Sequence, residues 1–595
     1  VETEQYQEVE ALLPAVQQLV SSLPPGQKAI EARINLAQSL VKLSRKQAGT
    51  EAGLSSQQFQ EIAQLLAITA QQAKELQDHR SESFALGYLG ELYEQTGQLQ
   101  TAQQITRQAL LLAQSHQAND IAYRWQWQLG RLLKAEADAE GNKATYTAAI
   151  TAYSNAIDTL QSIRRDLVAV TAEEQLSFQE TIEPIYRQLV TLLLQSPDRQ
   201  TLNTARNVIE SLQLAELDNF FREACLNGNP ALIDQVDQTA AVIYPIILPD
   251  QLAVIVSLPQ SASQSDVQQP TLTYYTVPVS QEELEATVKL LRDSLDQPND
   301  SRFLPPAQQL YNWLIKPIQD QLEVSSVNTL VFVPDGVLRN IPMSVLHDGQ
   351  QYLIEKSYNI ALTPGLQLLS TQPLAQEQLQ SALLAGITES RPGFSALPNV
   401  VNELTQIQAE IPNTTILLDQ GISSRVPELE VDRAFTRSNF QAAIEATPFP
   451  IVHLATHGQF SSKIEDTFIL TEDGRLSISD LRGALQTTAV RQDGVLELLV
   501  LSACETATGD QQAALGLAGV AVRAGARSTV ATLWQVNDAS SSMFMGEFYR
   551  QLSNIRALKM TKSEALRQAQ LTLLADPDYQ YPYFWAAYVL IGNWQ

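Results

Sequence analysis

The residues able to do chemistry together stand at the ends of two apolar runs. In PIVHLATHGQF the second of two histidines, His457, is followed by Gly458, and in LVLSACETATGD the apolar run leads into Cys504. An imidazole beside a thiol orients its proton transfers and lowers its pKa from about 8.5, producing the thiolate that attacks carbonyl carbon. Gly458, lacking a side chain, can bring its backbone N–H close to a developing oxyanion, with the N–H of Cys504 as the second donor. The residues alone leave another reading open, because a cysteine ending an apolar strand is usually a small buried hydrophobe. A metal site at His453 and His457 would need both on one helix face, generally with glutamate after the first. Leu454 holds that place and PIVHLA has the pattern of a strand. We therefore expect no metal and no cofactor, with His453 a buried, hydrogen-bonded sheet histidine. No G-x-S-x-G elbow occurs, so an α/β-hydrolase mechanism has no nucleophile motif here.

The elements that must position these residues alternate along the C-terminal half. Strand ALLAGI, helix NVVNELTQIQAEI, strand TILLD, helix RSNFQAAIEA, strand IVHLA, hairpin TFILTEDGRLSI, strand LELLVL, a helix and strand STVATLW follow one another. Such alternation predicts a mostly parallel sheet with helices on both faces, whose strands end on one edge, where open α/β folds place ligands. If IVHLA and LELLVL are neighbours, His457 and Cys504 face one cleft. Asp473-Gly474 is the expected hairpin turn. Upstream, AAVIYPIIL, LAVIVSL, LTYYTV and NTLVFVP, with two helical stretches, predict a first α/β segment.

Residues 1 to 225 read as helices, with leucine and alanine at three- and four-residue spacing. A repeat offset of 40 residues is visible at Leu89-Gly90 and Leu129-Gly130, followed by alanine pairs seven apart, Ala102 with Ala109 and Ala149 with Ala156. Small residues there predict close helix packing in stacked hairpins, with about seven additional residues in the second loop. The breakers Asn227, Gly228, Asn229 and Pro230 mark the expected end of this part. The organisation expected is thus a helical repeat domain at 1–225, a first α/β subdomain at 226–375 and a second, bearing the histidine and cysteine, at 376–595.

Composition narrows the functional classes. With 39 basic and 65 acidic side chains the net charge is −26, which repels nucleic-acid phosphates and anionic membranes. Two cysteines in different segments provide no disulfide framework, so a reducing compartment, the cytoplasm, fits best. No apolar run reaches the roughly 20 residues of a membrane span. The first residues lack the profile of a signal peptide, although a chain beginning with valine is compatible with a removed upstream segment.

The stretches VHLATHGQF, LVLSACETATGD, GLAGVAVRAGARSTVATLWQVNDASS, SEALRQAQL and YPYFWAAYVLIGNW, in this order, resemble the CHAT domain over most of residues 230 to 595. The repeats before them resemble tetratricopeptide repeats, an arrangement notable in cyanobacteria. The resemblance implies a caspase-like α/β fold in the clan of caspases, separases and gingipains, with an inactive half in residues 250 to 370 preceding the active one. His347, in SVLHDGQQY, is expected in a turn without chemistry. Carried over, the family's dyad falls on His457 and Cys504, with oxyanion donors at Gly458 and Cys504. In that clan a pocket charge selects the residue cleaved after, and the implied acid is Asp538 in LWQVNDASS, which would pair with an arginine or lysine of the substrate. Asp538 reads equally as the N-cap of the following helix. The function implied is a cysteine endopeptidase acting on proteins, its repeats recruiting or sensing a protein activator or adaptor. The alternative is a silent or latent signalling scaffold that uses the repeats for binding.

Overall fold

The computed structural model describes residues 6–24, 26–48, 56–163, 178–221, 237, 239–259, 271–325, 327–363, 365, 380–419, 429, 431–461, 466–491, 496–506, 525–553 and 560–595. The chain divides into two compact units, one within Val1–Ser196 and one beginning at Pro197.

The first unit is helical: α1 (Tyr6–Ser22), α2 (Gln27–Ala48), α3 (Ser56–Glu75), α4 (His79–Gln95), α5 (Leu99–Ser115), α6 (Asn119–Glu140), α7 (Lys143–Ser162) and α8 (Glu183–Leu193). The repeat seen in the sequence is structural. Ala102, Ala109, Ala149 and Ala156 are all fully buried. A Cβ on Gly90 would lie 2.6 Å from Thr106 Oγ1, and one on Gly130 would lie 2.7 Å from the Tyr153 ring, so each glycine is a point of helix contact. The turns repeat as well: Gln77 (φ 57) and Gln117 (φ 53) adopt the same left-handed conformation 40 residues apart. The additional residues expected in the second loop instead lengthen a helix, since α6 has 22 residues against 17 in α4. Alanine and glutamate in its last turns favour helix until Gly141 caps it at φ 66.

The second unit opens with α9 (Arg199–Phe221). A change of domain was expected near 225, and the breaker cluster at 227–230 lies outside the described residues. The periodicity of α9 is helical like that before it, but its polar side chains settle where it packs. Glu210 accepts from Tyr244 Oη at 2.9 Å, Gln213 donates to the Pro334 carbonyl at 3.1 Å, and Glu216 pairs with Arg339.

The strands are β1 (Ala240–Leu248), β2 (Gln251–Leu258), β3 (Thr271–Val277), β4 (Thr329–Phe332), β5 (Asn359–Leu362), β6 (Ser381–Gly386), β7 (Asn413–Leu418), β8 (Ile451–Phe460), β9 (Phe468–Thr471), β10 (Gly474–Ser477), β11 (Leu498–Thr506), β12 (Ser528–Thr532) and β13 (Tyr588–Gly592). Helices α10 (Gln281–Leu295) and α11 (Leu304–Leu314) lie between β3 and β4. Further on come α12 (Val400–Glu410), α13 (Arg437–Ala446), α14 (Ile478–Arg491), α15 (Asp538–Ser553) and α16 (Lys562–Ala575). All the strands belong to one mixed sheet of order β10-β9-β8-β11-β12-β13-β5-β4-β1-β2-β3, with β6 beside β8 and β7 beside β6. The two α/β segments therefore share a sheet, joined where Ile591 of β13 pairs with Leu362 of β5. In the second segment β7, β6, β8, β11 and β12 run parallel, as the alternation predicted. The β9–β10 hairpin closes through Glu472 and Asp473, one residue earlier than expected, because Thr471 pairs with Gly474 at φ 138. On one side of this region α12, α15 and α16 pack in a row. Gly546 allows the close approach of α15 to α12, since a Cβ on it would fall on Gln406, and Gly386 likewise lets the end of β6 approach Val400 at the start of α12.

Candidate active site

β8 is the central element. It is flanked by β11 and β6, both parallel, so its C-terminal end opens on the edge where those strands also end. Register with β11 is regular from Ile451 opposite Leu498 to Leu454 opposite Leu501. There β8 gains one residue, and pairing resumes with His457 opposite Ala503 and Gly458 opposite Cys504. A bulge of this kind re-aims the side chains beyond it. His457 and Cys504 are thus one register step apart on adjacent strands, about 6 Å between α-carbons for ordinary strand spacing and rise. For residues 503–506 the backbone alone is described, and residues 507–524, including most of GLAGVAVRAG, lie outside the described residues.

His457 is 5% exposed. Its Nε2 lies 2.8 Å from the Ser395 carbonyl oxygen. A carbonyl only accepts, so Nε2 carries the hydrogen and the lone pair of the neutral ring is on Nδ1. The ring packs on Phe394 at 5.1 Å between centroids, and Phe394 is braced edge-on by Phe468. Both contacts come from the loop between β6 and α12, which the sequence reading left without a role.

His453 is the interior histidine expected. It is fully buried, with Nε2 2.9 Å from Glu403 Oε1 and Nδ1 3.2 Å from Tyr549 Oη. Ser502 also donates to Glu403 Oε1, so one buried carboxylate on α12 ties β8 to β11 beneath the candidate site. This geometry serves structure, and no cluster of three or more metal-ligating residues occurs among the described residues. His347, expected in a turn, instead flanks one: it pairs with Tyr352 in an antiparallel bridge, and its Nδ1 accepts from Gly349 N at 2.9 Å.

Asp538 is the first residue of α15, yet the capping oxygen belongs to its neighbour. Asn537 Oδ1 accepts from the N–H groups of Ala539 and Ser540, both at 3.1 Å. Asp538 Oδ2 instead accepts from the backbone and side-chain nitrogens of Asn399 at 2.8 and 2.9 Å. Burial pushes its carboxyl above the usual range; the Asn399 donors oppose this, Glu403 adds to it, and His457 draws it down. A backbone carbonyl such as that of Ser395 leaves no mark in a sequence, and Asn399 and Glu403 read simply as the start of a helix.

The fold and this edge define a protein with a helical repeat unit and an α/β unit in which histidine- and cysteine-bearing strands are neighbours. Residues 304–593, just under half of the chain, match the family model of the CHAT domain. The chain is also 24% identical over 358 residues to human tetratricopeptide repeat protein 28 and 25% identical over 359 to its mouse counterpart. Those alignments take in 50% of this chain and 14% of each relative, so it spans about a seventh of their length. Among solved structures, the Saccharomyces cerevisiae separase–securin complex aligns over 100% of this chain and 48% of that one, at 9% identity and a TM-score of 0.42. The Arg-specific cysteine proteinase gingipain R aligns over 53% of this chain and 74% of that one, at 10% identity and a TM-score of 0.33.

Proposed function

We propose that this protein is a cysteine endopeptidase in which Cys504 is the nucleophile and His457 the general acid and base. The observation that carries the reading is the paired strand ends: Gly458 opposite Cys504, with His457 one residue away and its Nε2–H held by Ser395. That tautomer leaves Nδ1 to take the thiol proton. The thiolate attacks the scissile carbonyl, and the oxyanion is received by the N–H groups of Gly458 and Cys504. His457 then protonates the departing amine, and afterwards activates water to release the thioester. Asp538 is the proposed acid of the specificity pocket, selecting arginine or lysine. Support comes from the transfer of the capping role to Asn537, which leaves the Asp538 carboxylate free of the helix end. The helical unit, whose sequence repeat resembles tetratricopeptide repeats, is the proposed surface for a protein activator or adaptor.

A latent form, acting as a scaffold until a partner opens it, is favoured by one observation: His457 is nearly buried, with Phe394 against its ring. The test is proteome-derived peptide-library cleavage by the full chain and by Cys504→Ala, with and without calcium and candidate partners. Cysteine-dependent cleavage after basic residues is expected. Its absence under every condition would sink the peptidase reading, and cleavage after aspartate would remove Asp538 from the pocket.

A further inference from the structure

The loop between β6 and α12 holds His457, and one carboxylate outside the dyad grips its base. Asp419, directly after β7 and 1% exposed, receives four hydrogen-bond contacts from the start of that loop. Thr388 N lies 3.1 Å from each carboxylate oxygen, Thr388 Oγ1 donates to Oδ1 at 2.9 Å, and Glu389 N donates to Oδ2 at 2.9 Å. The Arg391 guanidinium approaches Oδ2 at 3.6 Å. The far end of the loop returns to the same anchor, since Leu397 N donates to the Thr388 carbonyl at 2.9 Å. Between these points Arg391 and Phe394 close a tight turn by exchanging backbone hydrogen bonds of 3.1 and 2.8 Å, with Gly393 at φ 84. Phe394 thus ends the turn and Ser395 follows at once, and these are the residues that touch the His457 ring and its Nε2.

From this chain of contacts we infer that Asp419 is a positioning residue for His457, setting its tautomer and ring orientation through Thr388, the 391–394 turn and the Ser395 carbonyl. A buried carboxylate accepting several backbone N–H bonds is a stiff support, because each lost bond would leave a buried donor unsatisfied. Held this way, the loop presents one acceptor to one imidazole nitrogen, and support of this kind beyond the reacting groups orients catalytic side chains. As a catalytic device this rests on the dyad reading, whereas the positional statement about His457 does not.

The test uses the full chain with ¹⁵N-labelled histidine, the His457 signals being assigned by their loss in His457→Gln. Wild-type protein is expected to show the Nε2–H tautomer. Asp419→Asn, and separately Thr388→Val, should shift both His457 nitrogen signals toward a mixture of tautomers and lower kcat at least threefold with KM unchanged, while Thr388→Ser retains the wild-type signals. Thr388→Val decides the matter if Asp419→Asn fails to fold. Wild-type His457 signals in folded variants of both kinds would overturn the inference. The dyad itself is read separately, in a Cys225→Ser background: iodoacetamide alkylation of Cys504 at pH 6.5 equally fast in wild type and His457→Ala would remove the dyad and leave the tautomer result standing.

Discussion

Lys562 shows how far a single side chain can depart from its ordinary behaviour in this fold. It is fully buried at the start of α16, and its Nζ has no hydrogen-bond partner among the described residues. Burial pushes its pKa down to about 7, with Glu497 opposing the shift and Arg527 adding to it. The unfolded chain holds this proton up to about pH 10.4. Between roughly 7 and 10.4 the unfolded state thus binds more protons, and stability from this group rises with pH. We expect Lys562→Met, which keeps the apolar stem, to stabilise the protein by about 2–4 kcal/mol at pH 7. The gain should shrink toward zero near pH 10. Urea denaturation at the two pH values measures it, and an effect independent of pH would contradict the assignment. At the same scale, two histidines four residues apart differ wholly in surroundings: His453 is spent on Glu403 and Tyr549, and His457 on one carbonyl at the sheet edge.

At the scale of elements, the helical unit depends on glycines where helices touch. A Cβ on Gly87 of α4 would lie 2.1 Å from the Trp125 ring of α6. That ring has little freedom to yield, since its Nε1 donates to Ser83 Oγ at 3.0 Å and Tyr88 and Phe84 pack edge-on against it. Alanine would improve helix propensity by about 1 kcal/mol, and overpacking a filled site costs about 1–3. Gly87→Ala is therefore expected to destabilise the helical unit by up to about 2 kcal/mol net, seen as a lower calorimetric midpoint; an unchanged or higher midpoint would show that Trp125 relaxes. In the sheet, the corresponding small feature is the one-residue bulge in β8. It decides that Cys504 meets Gly458 and not His457.

At the scale of the whole molecule, the continuity of the sheet matters most. β13, the last strand, lies between β12 and β5, so the first α/β segment is completed by the end of the chain. Without β13, the edge of β5 would carry unpaired backbone groups. Native-state hydrogen exchange should then give matching opening free energies, within about 1 kcal/mol, for the amides of β4, β5, β12 and β13. Earlier, independent opening of β4 and β5 would mean that the two segments are separate cooperative units. The net charge of −26 belongs to this scale too, since it makes polyanions unfavourable partners.

Much of this was legible in the sequence, for a reason that also marks its limit. Periods of 3.6 and 2 record which faces of a segment are buried, so the helical repeats, the strands, the interior place of His453 and the alternation of the second α/β segment could be read locally. The order of motifs pointed to the CHAT domain, and residue types named His457, Gly458 and Cys504 as candidates. Burial periodicity does not say what a segment is buried against, so only the tertiary structure assigned α9 to the sheet unit and brought β13 to β5. A backbone carbonyl has no residue signature, which hid the Ser395 contact, and a register shift depends on both strands at once, which hid the bulge. Asp538 combined both limits: its sequence position suited a cap, but the capping oxygen is that of Asn537, and its carboxylate is held by Asn399, 139 residues earlier.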